Sequence, residues 1–179
     1  MKAEDIISAL MAISGPRLWA RELTFSGHGR RADFWTLEPT PSQGFRAIAY
    51  EVKVTRADFL QDTHDKQKPA LKYSDRFFYV TPPGLVQRQE LPSWAGLMEW
   101  DGKVFIVRKK APKREKAEPN WQLFVDVMRT SGRCRRDSDL MVQEISFLRM
   151  RLRQLSEQAE QRDRVDMDRL HRRLKAGSI

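Results

Sequence analysis

Asp33 is followed eighteen residues later by the triplet Glu51-Val52-Lys53. Hydrolysis of a phosphodiester calls for a divalent cation to polarise the phosphate, an activated water, and a group that steadies the leaving oxygen. Mg2+ or Mn2+ prefers oxygen ligands, typically one or two carboxylates completed by water and substrate phosphate. On a strand, positions i and i+2 point the same way, about 7 Å apart. Glu51 and Lys53 therefore share a polar face, while Val52 packs into the core and its backbone carbonyl can still face a metal. If a strand bearing Asp33 lies alongside, Asp33 and Glu51 become ligands, and Lys53 orients the attacking water or steadies charge on the phosphate. A Glu-x-Lys on a strand can equally be a solvated same-face ion pair that contributes little. Asp33 on a preceding strand, in a basic chain, moves the balance towards a site.

The elements that must position these residues follow from residue patterning. Ile6, Ile7, Leu10 and Met11 lie at the spacing of one buried helix face, and Gly15-Pro16 ends that helix. Strands are expected over 19–25, 32–37 and 45–54. In the third, Ile48, Tyr50, Val52 and Val54 alternate with Ala49, Glu51 and Lys53. Thr55-Arg56-Ala57-Asp58 resembles a capping box, so a helix or a pair of short ones should run to about Tyr73. A fourth strand over 76–81 ends at Pro82-Pro83-Gly84, and two more, 96–100 and 104–108, flank the hairpin dipeptide Asp101-Gly102. Asp58 and Asp62 are expected to cap or pair rather than bind metal. Trp94, Trp100 and Trp121 read as core or interface.

The bulk composition sets the partners. The 179 residues suffice for one α/β core and an appendage. Thirty-three Lys and Arg against 24 Asp and Glu leave a net charge of +9, which favours a polyanion such as DNA. The single cysteine, Cys134, excludes an intramolecular disulfide framework and a multi-Cys zinc site. The first residues read as an amphipathic helix rather than a signal peptide, and no apolar run approaches a membrane span, so the default compartment is the cytoplasm.

Beyond Arg108 the composition changes. Residues 109–119 read as a charged, proline-bounded linker between a domain over 1–108 and a helical extension over 120–179. In that extension Trp121, Phe124, Val125 and Met128 mark an amphipathic helix. Met141, Ile145, Leu148, Leu152, Leu155 and Ala159 then alternate steps of four and three, the seam of a short coiled coil through which the chain could form a homodimer. The register fails at Arg162 and Asp166.

Four blocks carry a resemblance: Glu22-Leu23-Thr24-Phe25, Gly29-Arg30-Arg31-Ala32-Asp33-Phe34, Tyr50 to Phe59, and Lys72 to Val80. Together they resemble the MmcB-like DNA-repair proteins and their phage relatives, in the PD-(D/E)XK nuclease superfamily, over about residues 2–108. The resemblance implies a restriction-endonuclease-like mixed β-sheet flanked by helices, here extended by a long C-terminal helix. It also implies dependence on Mg2+ (or Mn2+), DNA as substrate, and a deoxyribonuclease working in DNA repair or phage DNA metabolism. By position Asp33, Glu51 and Lys53 match the core motif, and Glu22 matches an acidic residue on the preceding strand. The segment after Asp58 departs from the family in lacking a Lys-Trp pair.

Arg30 and Arg31 either clamp a phosphate beside the metal or hold the site together by pairing with Glu22 or Glu51. Lys66, Lys68 and Lys72 either line a DNA-backbone groove or form a solvated helix face. His28 is a turn residue or a catalytic base. The competing reading is a catalytically silent scaffold that binds DNA, or docks a replication or repair protein, through its C-terminal helix.

Overall fold

The computed structural model describes residues 1–25, 29–130 and 145–159. The chain divides into two units, Met1–Cys134 and Arg135–Ile179. In the first, helix α1 (Ala3–Ile13) opens with Asp5 accepting the Lys2 backbone N–H at 2.8 Å, and it buries Ile6, Ile7 and Leu10. Six strands follow: β1 (Leu18–Phe25), β2 (Arg30–Leu37), β3 (Ala47–Val52), β4 (Arg76–Thr81), β5 (Gly96–Trp100) and β6 (Phe105–Lys109). They lie in one sheet in chain order. Pairings are antiparallel from β1 to β3, parallel from β3 to β5, and antiparallel again at β6. The expected mixed sheet flanked by helices is the fold observed.

The alternation read in β3 divides the core. Tyr50 and Val52 join Phe34, Phe78, Val80, Met98 and the α1 residues on one face. Ala47 and Ala49 join Trp35, Phe77, Tyr79 and Leu97 on the other. That second face is covered by α2 (Arg56–Leu60), α3 (His64–Lys72) and α4 (Trp121–Thr130), through Phe59, Ala70, Leu71 and Leu123. The β3-to-β4 crossover thus runs through α2 and α3, which hang over the carboxyl end of β3, where open α/β sheets place their sites. Thr55 caps α2 by accepting the Asp58 N–H at 3.2 Å, as its sequence suggests.

Residues 109–119 are not a free linker. Lys109 still belongs to β6, and Ala111 is buried. The Arg114 N–H donates to the Asp75 carbonyl, the Ala117 N–H to the Lys72 carbonyl, and the Lys116 ammonium to Asp75 Oδ2 at 2.6 Å. The proline-bounded charges are those of a strap tied to the body, which brings α4 against β1. The compact body accordingly continues past Arg108. The buried residues of α4 are Leu123 and Asp126, so of the residues that mark this helix in the sequence Trp121, 82% exposed, and Phe124 face out.

In the second unit residues 145–159 form a helix, α5, as expected. Ile145, Leu148, Leu152 and Leu155 are all exposed on it. Met141 and the charged register break at Arg162 and Asp166 lie outside the described residues. No helix among the described residues is long and apolar enough to cross a membrane.

Candidate active site

Pairing of β2 with β3 ends at Phe34↔Tyr50. One residue further, the Asp33 carboxylate replaces the ladder: its Oδ2 accepts the Val52 N–H at 2.8 Å. Asp33 is thereby fixed beside Glu51, the last residue but one of β3. The Val52 side chain points to the opposite, α1-covered face, as its place in the triplet requires. Lys53, just past the strand, donates its backbone N–H to the Val80 carbonyl at 3.0 Å and turns its side chain back to the Glu51 face. Its Nζ lies 2.9 Å from Glu51 Oε1, 3.4 Å from Asp58 Oδ1 and 3.7 Å from Asp62 Oδ2.

Glu51 and Lys53 are only 8% and 7% exposed, so this is not the solvated pair that chance would give. Burial favours the neutral carboxyl and the Asp33 charge adds to it, and together they push Glu51 up to about 7 against the opposing pull of Lys53. Burial likewise raises Asp33, countered by the Val52 N–H, Lys53 and Arg31. For Lys53, burial disfavours the ammonium, but Glu51, Asp62 and Asp58 outweigh it and hold its pKa above the ordinary lysine value. The amine stays charged while the carboxylate beside it is poised to lose or gain a proton near neutrality.

One group at this centre does more than its sequence context predicts. Asp62, expected only to cap or pair, has a side chain just 3% exposed. Its two oxygens accept Gln67 Nε2 at 3.0 and 2.8 Å, one also accepts the Thr63 N–H at 2.9 Å, and the Tyr79 hydroxyl bonds to it as well. Tyr79 stands opposite Glu51 in the β3–β4 register, and burial first, then Asp62, raises its pKa. Asp62, Gln67 and Tyr79 form a fixed polar wall behind Lys53. Asp58, half exposed, also pairs with Lys53. A polar residue in an apolar strand run, Tyr79 in Phe77-Phe78-Tyr79-Val80, is the signal in the sequence for this wall; Asp62 and Gln67 carry none.

Glu22 faces Asp33 in the β1–β2 register, between the pairs Arg21↔Phe34 and Leu23↔Ala32. Its φ of 50° is left-handed, rare for a residue with a side chain. The burial phase of β1 shifts at this point: Ala20 is buried before it, Leu23 and Phe25 after it. Glu22 itself turns outward and pairs with Arg31 at 3.3 Å, both half exposed. Of the two expected roles for Arg31, the structure shows the pairing with Glu22.

Arg30, Lys68 and Lys72 meet at an open pocket of about 450 Å3 with Asp65 and Pro69. Lys66 lies outside it, donating to the Gln61 carbonyl at 2.6 Å. His28 falls outside the described residues.

Among the described residues no three His, Cys, Asp or Glu side chains gather closely enough to hold a metal. Of the three acidic residues expected to form the site, Asp33 and Glu51 come together, and Glu22 turns outward to Arg31. A pair fits a Mg2+ or Mn2+ ion that keeps water and substrate phosphate as its remaining ligands. Glu51 Oε2 is buried with no hydrogen-bond partner, an oxygen left open for a cation.

No family model matches the chain, and no curated protein matches it. Among solved structures, it is similar to a protein of unknown function from Silicibacter pomeroyi. That match has a TM-score of 0.52 and 22% identity, and covers 82% of this chain and 88% of that one. At this identity the likeness supports the fold.

Proposed function

We propose that this protein is a metal-dependent nuclease-like enzyme acting on DNA phosphodiesters, in the manner of the PD-(D/E)XK superfamily it resembles in sequence. The observation that carries this reading is the buried Glu51 oxygen without a partner, between Asp33 and Lys53 at the carboxyl end of β3. Such a group is costly to a fold that uses it for nothing. Asp33 and Glu51, with the Val52 carbonyl, are the residues that would hold Mg2+ or Mn2+. When bound, such an ion supplies charge stabilisation at the phosphate and a more acidic water. Lys53, kept charged and braced by Asp62, presents its ammonium to the phosphate or to the attacking water. The net charge of +9 suits a polyanionic substrate, and repair or phage DNA metabolism is the setting the resemblance suggests.

The test incubates purified protein with single-stranded, nicked and branched DNA and Mg2+ or Mn2+. Cleavage by wild type and none by a Glu51→Ala, Lys53→Ala double variant is expected. Equal cleavage by both removes the proposal.

The second reading is a catalytically silent scaffold working through α5. It is favoured by the exposed Ile145, Leu148, Leu152 and Leu155 at heptad spacing, which suit a second copy of the chain. Removing residues 138–179 separates the two. An enzyme keeps its chemistry, whereas a helix-driven partner protein loses both its self-association, measured by sedimentation, and its function.

A further inference from the structure

The pocket lined by Arg30, Lys68, Lys72, Asp65 and Pro69 lies where β2 begins and α3 passes over it. Three cations face one carboxylate there. Asp65 pairs with Lys68 at 2.7 Å, both well exposed. The Lys72 ammonium sits 5.2 Å above the Tyr73 ring. Neither Lys72 nor Arg30 has an ion-pair partner among the described residues, whereas Arg31 is committed to Glu22 and Lys66 to a carbonyl. With Asp65 offsetting only one of the three positive charges, the pocket keeps a net excess of two, an arrangement suited to an anion.

Arg30 is three residues from Asp33 on the same strand, about 10 Å along it. Neighbouring phosphates of one nucleic-acid strand lie closer together than that, and the length of the Arg30 side chain covers the difference. We infer that the Arg30–Lys68–Lys72 pocket is a subsite for a single backbone phosphate flanking the one at Asp33 and Glu51, with Arg30 as the bidentate donor and the two ammonium groups as point charges. The inference rests on the nuclease reading for the identity of the ligand, but it concerns binding and not cleavage. It assigns the predicted basic residues unequally: Arg30, Lys68 and Lys72 touch the strand, and Arg31 and Lys66 do not.

The test measures binding of a fluorescein-labelled single-stranded oligonucleotide by anisotropy over a salt series, without divalent cation. An Arg30→Gln, Lys72→Gln double variant is expected to bind at least tenfold more weakly. Its log–log salt slope should fall by about 0.7 for each phosphate charge that is no longer neutralised. Lys66→Gln removes one charge from α3, as Lys72→Gln alone does, and is expected to leave affinity and slope as in wild type. Equal losses in Lys66→Gln and the double variant, or no loss in the double variant at unchanged melting temperature, overturn the subsite. Displacement of the oligonucleotide by inorganic phosphate at constant ionic strength overturns its assignment to a nucleic-acid strand, and so does a wild type that binds no oligonucleotide. None of these outcomes touches the Glu51 cleavage assay, so the two ideas fail separately.

Discussion

The ammonium of Lys53 is 2.9 Å from one oxygen of Glu51, and the other oxygen of the same carboxylate is buried with no hydrogen-bond partner. A carboxylate retained only to satisfy the lysine would orient both oxygens towards donors. This one keeps half its accepting capacity in reserve, next to a second carboxylate raised by the same burial.

The first prediction is a single Mn2+ site at this pair. Calorimetric titration of wild type should show one equivalent. Glu51→Gln and Asp33→Asn should each weaken it by more than the ~10–100-fold typical of losing a mere supporting residue. Glu22→Gln, altering an exposed group paired with Arg31, should leave it within a few-fold. Unchanged binding in Glu51→Gln would place the ion elsewhere.

A second prediction concerns stability against pH, in metal-free protein. Glu51 has its folded pKa raised to about 7 from an ordinary 4.5. Its contribution is therefore fully present below 4.5, where both states are protonated, and is lost as pH rises towards 7, because the unfolded chain releases the proton more readily. The shift corresponds to at most about 3 kcal/mol. Denaturant unfolding near pH 5 and near pH 8 should show wild type losing stability relative to Glu51→Gln as pH rises. A difference that stays flat would mean that Glu51 titrates as an ordinary carboxylate.

The third concerns the wall behind Lys53. Asp62→Ala strands Gln67, the Tyr79 hydroxyl and one side of a buried ammonium at once, and should cost ~3 kcal/mol or more. Asp58→Ala removes a half-exposed partner at 3.4 Å and should cost less than ~1 kcal/mol. The two side chains pair with the same ammonium, so comparable losses in thermal denaturation would contradict the assignment of Asp62 as the brace.

Period and punctuation explain what is legible in the sequence. The two-residue alternation of Ile48 to Val54 places Glu51 and Lys53 on one face, and Pro82-Pro83-Gly84 and Asp101-Gly102 end strands where they do end. Nothing local announces the left-handed φ of Glu22, because it reflects a demand of the sheet: Leu23 and Phe25 must join the face that Ala20 already occupies. Asp62 is legible as a pairing residue but not as a buried one, since its partners come from α3 and β4 and burial is a property of the assembled layers. The 109–119 strap misleads for the converse reason. A charged, proline-bounded run has the composition of a linker, and partners distant in sequence, among them Lys72, Asp75, Arg76 and Trp94, tie it down.

Gly96 supplies the fourth prediction. A Cβ built on it would lie 2.6 Å from the Ala111 backbone nitrogen and 2.6 Å from the Phe78 ring, too close for either. Neither can yield easily: Ala111 is the buried residue of the strap, and Phe78 is packed against Tyr50 in the core. Gly96→Ala must therefore push the strap off the sheet or displace the ring, at a cost of about 1–3 kcal/mol. If the strap is what yields, Leu123 on α4 loosens with it, because α4 follows the strap directly. Hydrogen exchange should then show α4 amides losing protection in Gly96→Ala while β3 amides keep theirs. By the same logic a chain ended after Arg108, which lacks the strap and Leu123, should show no cooperative unfolding transition, and one ended after Thr130 should show it. A cooperative transition in the shorter chain would restore the boundary at Arg108 and make α4 an appendage.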